Sequence, residues 1–158
     1  MKLIAERITA AAFAPFGDVL VRPAAPGRIY FDKALFNGRA TAQPSLSVVH
    51  ALPVAALPLT VTKLERHEYS SQSFISLGGG AKLLVVCPHK DEVGPDLAAA
   101  RAFVTLPEEG ITYRPNIWHH SLTILNTPSF QAVMMWKDGS DSDEEFMDVP
   151  AFTVELPA

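Results

Sequence analysis

Two histidines stand side by side, His119 and His120, in a run of strand-forming residues that extends from Trp118 to Leu122. Successive side chains of a strand point to opposite faces, so only one of the pair can look into a barrel interior. The other must meet solvent, a sheet neighbour or a partner chain. A histidine held inside a β-barrel is a natural proton carrier or metal ligand. Upstream, Glu65 and His67 are two apart and share a face of a strand, with Gln72 following. If these three converge with one of the paired histidines, the site holds a carboxylate, an amide and two imidazoles. That set suits general acid–base work or a borderline divalent ion such as Ni²⁺, Mn²⁺, Fe²⁺ or Zn²⁺. No arrangement of Ser or Cys suggests a covalent nucleophile.

The elements that must position these groups read as strands. Thirteen prolines and nine glycines cut the 158 residues into short pieces. Strand-like runs fall at 18–21, 46–49, 59–61, 73–77, 82–86, 102–105, 121–125 and 131–136. Many short strands separated by turn signals predict an all-β sandwich or barrel. Gly78, Gly79 and Gly80 supply the turn into the 82–86 strand. Two short helices are expected, one over 10–13 capped by Thr9 and one over 97–101 capped by Asp96. Residues 21–28, rich in Pro and Ala, read as a surface loop. Without an internal repeat or linker, residues 1–158 are expected to form one domain.

Charge narrows the function classes. A net charge of −4 with no basic face argues against nucleic-acid binding. The one block of like charge, 141–145, reads as a solvated loop. The single cysteine, Cys87, excludes an internal disulfide and ends an apolar run, where a buried, inert thiol is expected. No apolar stretch approaches the roughly 20 residues of a membrane span, and charge arrives too early for a secretory signal. A cytoplasmic protein is the expectation.

The spacing of Glu65, His67, Gln72 and Gly79, with Pro115 five residues before His120, resembles the two motifs of the cupin superfamily. Glu65 stands where a first histidine is usual, and Gln72 where a glutamate is usual. Over nearly the whole chain the sequence resembles the ureidoglycolate lyase family. The segments that carry this are 13–19, 57–59, 64–67, 72–75, 96–103, 110–113, Trp118-His119-His120 and Gly139-Ser140-Asp141. The family usually has proline after the paired histidines, where this chain has Ser121. Its Arg-Ala-x-Pro segment appears here as His50-Ala51-Leu52-Pro53, so any role of that arginine must pass to another cation.

The resemblance implies a cupin-like double-stranded β-helix (jelly-roll) barrel with minor short helices, and a homodimer. The implied reaction is a carbon–nitrogen lyase step of allantoin degradation, splitting (S)-ureidoglycolate into glyoxylate and urea. His67, His120 and Glu65 are the implied catalytic residues, with Gln72, Lys137 and Arg66 as substrate contacts and Arg101 as a weaker candidate. Glu65, His67, Gln72 and His120 are the implied ligands of a possible Ni²⁺ or other divalent metal; no organic cofactor is implied. Strand alternation qualifies two of these expectations, since His119 should face away from His120 and Arg66 away from Glu65 and His67. Trp118, Phe74 and Trp136 are expected to pack in the core or a dimer face, and His50 and His89 to stand apart from the chemistry. The competing readings are a non-catalytic module that binds a small carboxylate such as glyoxylate, and a cupin acting on another ureido or hydroxy acid.

Overall fold

A computed structural model of the chain describes residues 1–157. Two β-sheets face each other across an apolar interior. The larger runs β1 (Lys2–Ile4), β15 (Glu144–Glu155), β5 (Leu59–His67), β12 (Trp118–His119), β7 (Lys82–Cys87), β10 (Arg101–Val104) and β2 (Glu6–Arg7), with β13 (Thr123–Ile124) also paired to β7. The smaller runs β3 (Gly17–Leu20), β11 (Gly110–Tyr113), β6 (Gln72–Gly79), β14 (Ser129–Lys137) and β4 (Gln43–Ala51). A separate ribbon joins β8 (His89–Lys90) to β9 (Gly94–Pro95). From β4 to β7 each strand crosses to the opposite sheet, the jelly-roll habit of a cupin-like barrel.

The period-2 pattern of β7 divides the core. Leu84 and Val86 point between the sheets and pack with Phe74, Phe103, Ile111 and Val133. Leu83, Val85 and Cys87 point to the far side of the larger sheet, against Leu64, Trp118 and Phe152. A strand buried on both faces reads as an unbroken apolar run, which is how 82–86 reads. Burial pushes the Cys87 thiol up to about 12, so it is inert as expected. Close approach of strands fixes the role of one glycine: at Gly79 (φ +103°) a Cβ would lie 2.2 Å from the Pro128 carbonyl oxygen.

Thr9 caps α1 (Ala10–Phe13), its Oγ1 accepting from the Ala12 N–H at 3.1 Å. The second expected helix is only a 3₁₀ turn over Leu97–Ala99, and the Asp96 side chain does not cap it. The strand expected at 121–125 shrinks to β13 because Ser121 and Leu122 leave the ladder. Part of the acidic run, expected to be loop, belongs to β15. Its alternating partly buried residues pair with β5, so the charge block hides the strand pattern. Among the described residues no helix is long and apolar enough to cross a membrane.

Lys82 breaks the apolar run of β7 at its first position. Lys82 is fully buried and its Nζ has no hydrogen-bond partner. Burial lowers its pKa from 10.5 to about 8. The unfolded chain therefore holds this proton more tightly, and the cost of burying the charge is fully present below pH 8. That cost fades as pH rises from about 8 towards 10.5. A shift of this size corresponds to a few kcal/mol. Replacing Lys82 with Met should raise the unfolding free energy at pH 7 by about 1–3 kcal/mol, with a smaller gain at pH 10. Denaturant unfolding at the two pH values checks it, and equal gains would assign the effect to packing alone.

Candidate active site

The register of β12 on β5 sets His119 directly opposite Glu65, so the two side chains share the inward face. His119 Nε2 lies 3.3 Å from Glu65 Oε1 and 3.1 Å from Gln72 Oε1, while Nδ1 lies 2.9 Å from the Ile117 carbonyl oxygen. Both ring nitrogens thus face oxygen atoms, which fix the orientation of the imidazole. Tyr113 stacks on the ring at 4.1 Å between centroids and holds its plane. Burial alone would raise the Glu65 pKa, but the His119 hydrogen bond and the charges of His119, His67 and His120 hold it below the usual carboxylate range.

His67 follows Glu65 on the same face of β5 and stacks over His119 with centroids 6.1 Å apart. Its Nδ1 is 3.6 Å from Asp143 Oδ2, and its buried Nε2 has no partner. Burial first, then the charge of His119, drives its pKa down to about 4, against the pull of Asp143 and Glu65. The ring is neutral at pH 7 and has a lone pair to offer.

Above His67 opens a cavity of about 220 Å³, lined among others by Arg39, Trp136, Lys137, Asp143 and Glu144. Its size suits a small molecule. Among the described residues five buried side-chain polar atoms lack a partner, and three of them, Arg39 Nε, His67 Nε2 and Trp136 Nε1, belong to residues of this cavity. Buried polar groups are normally paired, and this concentration distinguishes the cavity as the candidate site. The guanidinium of Arg39 is fixed by Asp138 at 3.0 Å, by the Trp136 carbonyl at 2.9 Å and by Asp143 at 3.3 Å. Glu65, Gln72 and His119 lie beneath His67, outside the residues that line the cavity.

Several expectations change on this geometry. His120 is not the inward histidine: alternation after the His119–Glu65 pair turns it away, and its Nδ1 sits 2.9 Å from Thr123 Oγ1 and 3.1 Å from the Ser121 carbonyl. His119, expected to face away, takes the inward place. Arg66, expected as a substrate contact, does not line the cavity. It is buried on the opposite face, where its Nε donates to Glu145 at 2.7 Å, its Nη1 bonds Asn116, and its guanidinium lies 5.0 Å from the Trp118 ring. Arg101 pairs with Glu6 at 2.6 Å, away from the cavity. Lys137 does stand at the cavity rim. Trp136 lines the cavity rather than the core, and Asp143, part of the run expected to be solvated, is 5 % exposed.

The four residues implied as metal ligands do not form one shell. His120 is elsewhere, and among the described residues no three His, Cys, Asp or Glu side chains converge to hold an ion. His119 is instead engaged on both nitrogens, Nε2 by Glu65 Oε1 and Gln72 Oε1 and Nδ1 by the Ile117 carbonyl. The residues as they stand do not fit a resident divalent metal. His50, at the position of the family's arginine, stacks on Phe130 at 4.4 Å on the outer face of β4, so that departure leaves the cavity's cations untouched.

A jelly-roll barrel with a buried histidine in the lining of a polar cavity defines a cupin-like protein. The model of the family described as ureidoglycolate lyase matches residues 1–155. A ureidoglycolate lyase of Mesorhizobium japonicum is 38 % identical over 99 % of this chain and 99 % of its own length. One of Pseudomonas syringae pv. syringae is 38 % identical over 92 % of this chain and 89 % of its own. One of a Chelativorans species is 36 % identical, covering 99 % and 98 %. The chain belongs to the ureidoglycolate lyase family, and is an enzyme of the lyase type.

The outward position of Arg66 gives a direct expectation. Arg66→Ala should cost about 2 kcal/mol of stability by stranding its hydrogen-bond partners, while turnover by the folded protein changes less than about threefold. Thermal unfolding beside steady-state kinetics checks it; a large kinetic loss with unchanged stability would return Arg66 to the site.

Proposed function

We propose that the chain is a carbon–nitrogen lyase of the amidine lyase class, cleaving ureidoglycolate to glyoxylate and urea in the recovery of purine nitrogen. The observation that carries this reading is the unpartnered Nε2 of a neutral His67 beneath a small cavity rimmed by a lysine. In a ureidoglycolate the hydroxyl and the departing nitrogen sit on the same carbon, so one imidazole can serve both. His67 Nε2 takes the hydroxyl proton, the C–O bond becomes C=O, and the C–N bond breaks with its electron pair going to nitrogen. The imidazolium then returns the same proton to that nitrogen, and urea leaves. No covalent intermediate or net proton change is required.

Lys137 supplies the cation for the substrate carboxylate, and the free N–H groups of Arg39 and Trp136 donate to the remaining oxygens. His119, fixed by Glu65 and Gln72, keeps the His67 ring neutral and in place from below. A homodimer is part of the proposal. The outer face of the smaller sheet exposes Leu46, Val48, Ile75, Leu77 and Phe130, an apolar patch that a second copy would cover.

The test is turnover of racemic ureidoglycolate, following glyoxylate, urea and ammonia with and without chelator and added Ni²⁺. Urea should match glyoxylate under every metal condition; ammonia in place of urea, or no rate above the spontaneous one, would overturn the proposal. His67→Ala should lower kcat/KM by about 10²–10⁴-fold, and His119→Ala should also impair turnover. His120→Ala should stay within about threefold of the parent. The acid limb of kcat/KM should fall with a midpoint near the lowered His67 value of about 4, since protonation below it removes the base. A midpoint near 6.5 would point to a base other than His67 as assigned.

A further inference from the structure

Asp143 arrives at His67 from a different strand connection, 76 residues further along the chain, out of an acidic run whose charge suggests solvent. It is instead held on several sides. Its Oδ1 accepts from the Tyr69 N–H at 2.7 Å, and its Oδ2 accepts from Ser70 Oγ at 2.5 Å and from Arg39 Nη2 at 3.3 Å. Its own carbonyl accepts from the Glu68 N–H at 2.8 Å. The carboxylate is thereby fixed with Oδ2 facing His67 Nδ1 at 3.6 Å. Ser70 is buried and Arg39 is tied to Asp138, so neither is free to follow another partner.

We propose that Asp143 is the positioning residue that gives His67, a residue of the cavity lining, its working tautomer, with hydrogen on Nδ1 and the lone pair on Nε2. A carboxylate can only accept from a neutral imidazole, and the nitrogen that faces it carries the hydrogen. The other nitrogen, buried and unpartnered, is then left as the acceptor. At 3.6 Å the contact is a close charge–imidazole approach, longer than a formed hydrogen bond. The same division of labour holds wherever a carboxylate orients a catalytic histidine, and replacing the carboxylate by an amide there leaves geometry intact but the ring in the wrong tautomer. Arg39 and Ser70 support this indirectly by holding Asp143 still. The kinetic consequence rests on the lyase reading proposed above; the tautomer does not.

The experiment is ¹⁵N NMR of the five ring-labelled histidines of the full chain, with His67 assigned by loss of its signals in His67→Gln. In the parent protein at pH 7, His67 should show a protonated Nδ1 and an unprotonated Nε2. Asp143→Asn should reverse or mix the two, and lower kcat by about 10²–10⁴-fold with KM changed less than about threefold. Ser70→Ala keeps the carboxylate and should retain the parent tautomer, with kcat within about tenfold. A parent His67 protonated on Nε2 overturns the inference without any variant, as does a folded Asp143→Asn with unchanged tautomer and kcat. If the parent tautomer is as stated but ureidoglycolate is not turned over, the positioning by Asp143 stands and the lyase reading fails.

Discussion

The pairing of His119 with Glu65 across β12 and β5 decides where everything else in the site can be. β12 is only two residues long, so one cross-strand register fixes which of two adjacent histidines enters the barrel. With His119 opposite Glu65, Trp118 must turn to the outer core and His120 must turn away. His67, two residues beyond Glu65 on the same face, then stacks over His119 and closes the floor of the cavity. A slip of one residue would exchange the faces of the whole set.

Below and above His67 the polar groups are handled differently, and the contrast separates support from chemistry. The lower group is closed upon itself: His119 reaches Ile117, Glu65 and Gln72, and Tyr113 covers its ring. The upper group is left open, with His67 Nε2, Arg39 Nε and Trp136 Nε1 unpaired. The proposed substrate would complete the second set. The neutral state of His67 follows from the same arrangement, since burial and the neighbouring His119 both disfavour its charge.

Strand periodicity made much of this legible in the sequence. The all-β class followed from short runs between Pro and Gly, and the shared face of Glu65 and His67 followed from their separation. Thr9 was readable as a cap because its partner, Ala12, is three residues away. The inward histidine was not readable, because motif spacing counted from Pro115 favours His120 while the local register favours His119. Arg39 and Asp143 were beyond reach for another reason. Arg39 meets its partners about a hundred residues away, and Asp143 sits in a run whose charge suggests solvent. Only the crossing of β15 over β5 brings that run against His67. Arg66 carried its own warning, since alternation set it opposite to its neighbours.

In the proposed lyase the substrate sits in the cavity above His67. A crystal structure of the protein with glyoxylate tests it most directly. The carboxylate should lie beside Lys137 and the carbonyl oxygen within hydrogen-bond reach of His67 Nε2. Glyoxylate bound beside His120, or in the larger groove of about 420 Å³ between Leu20, Arg28 and Ile75, with the His67 cavity left empty, would contradict it.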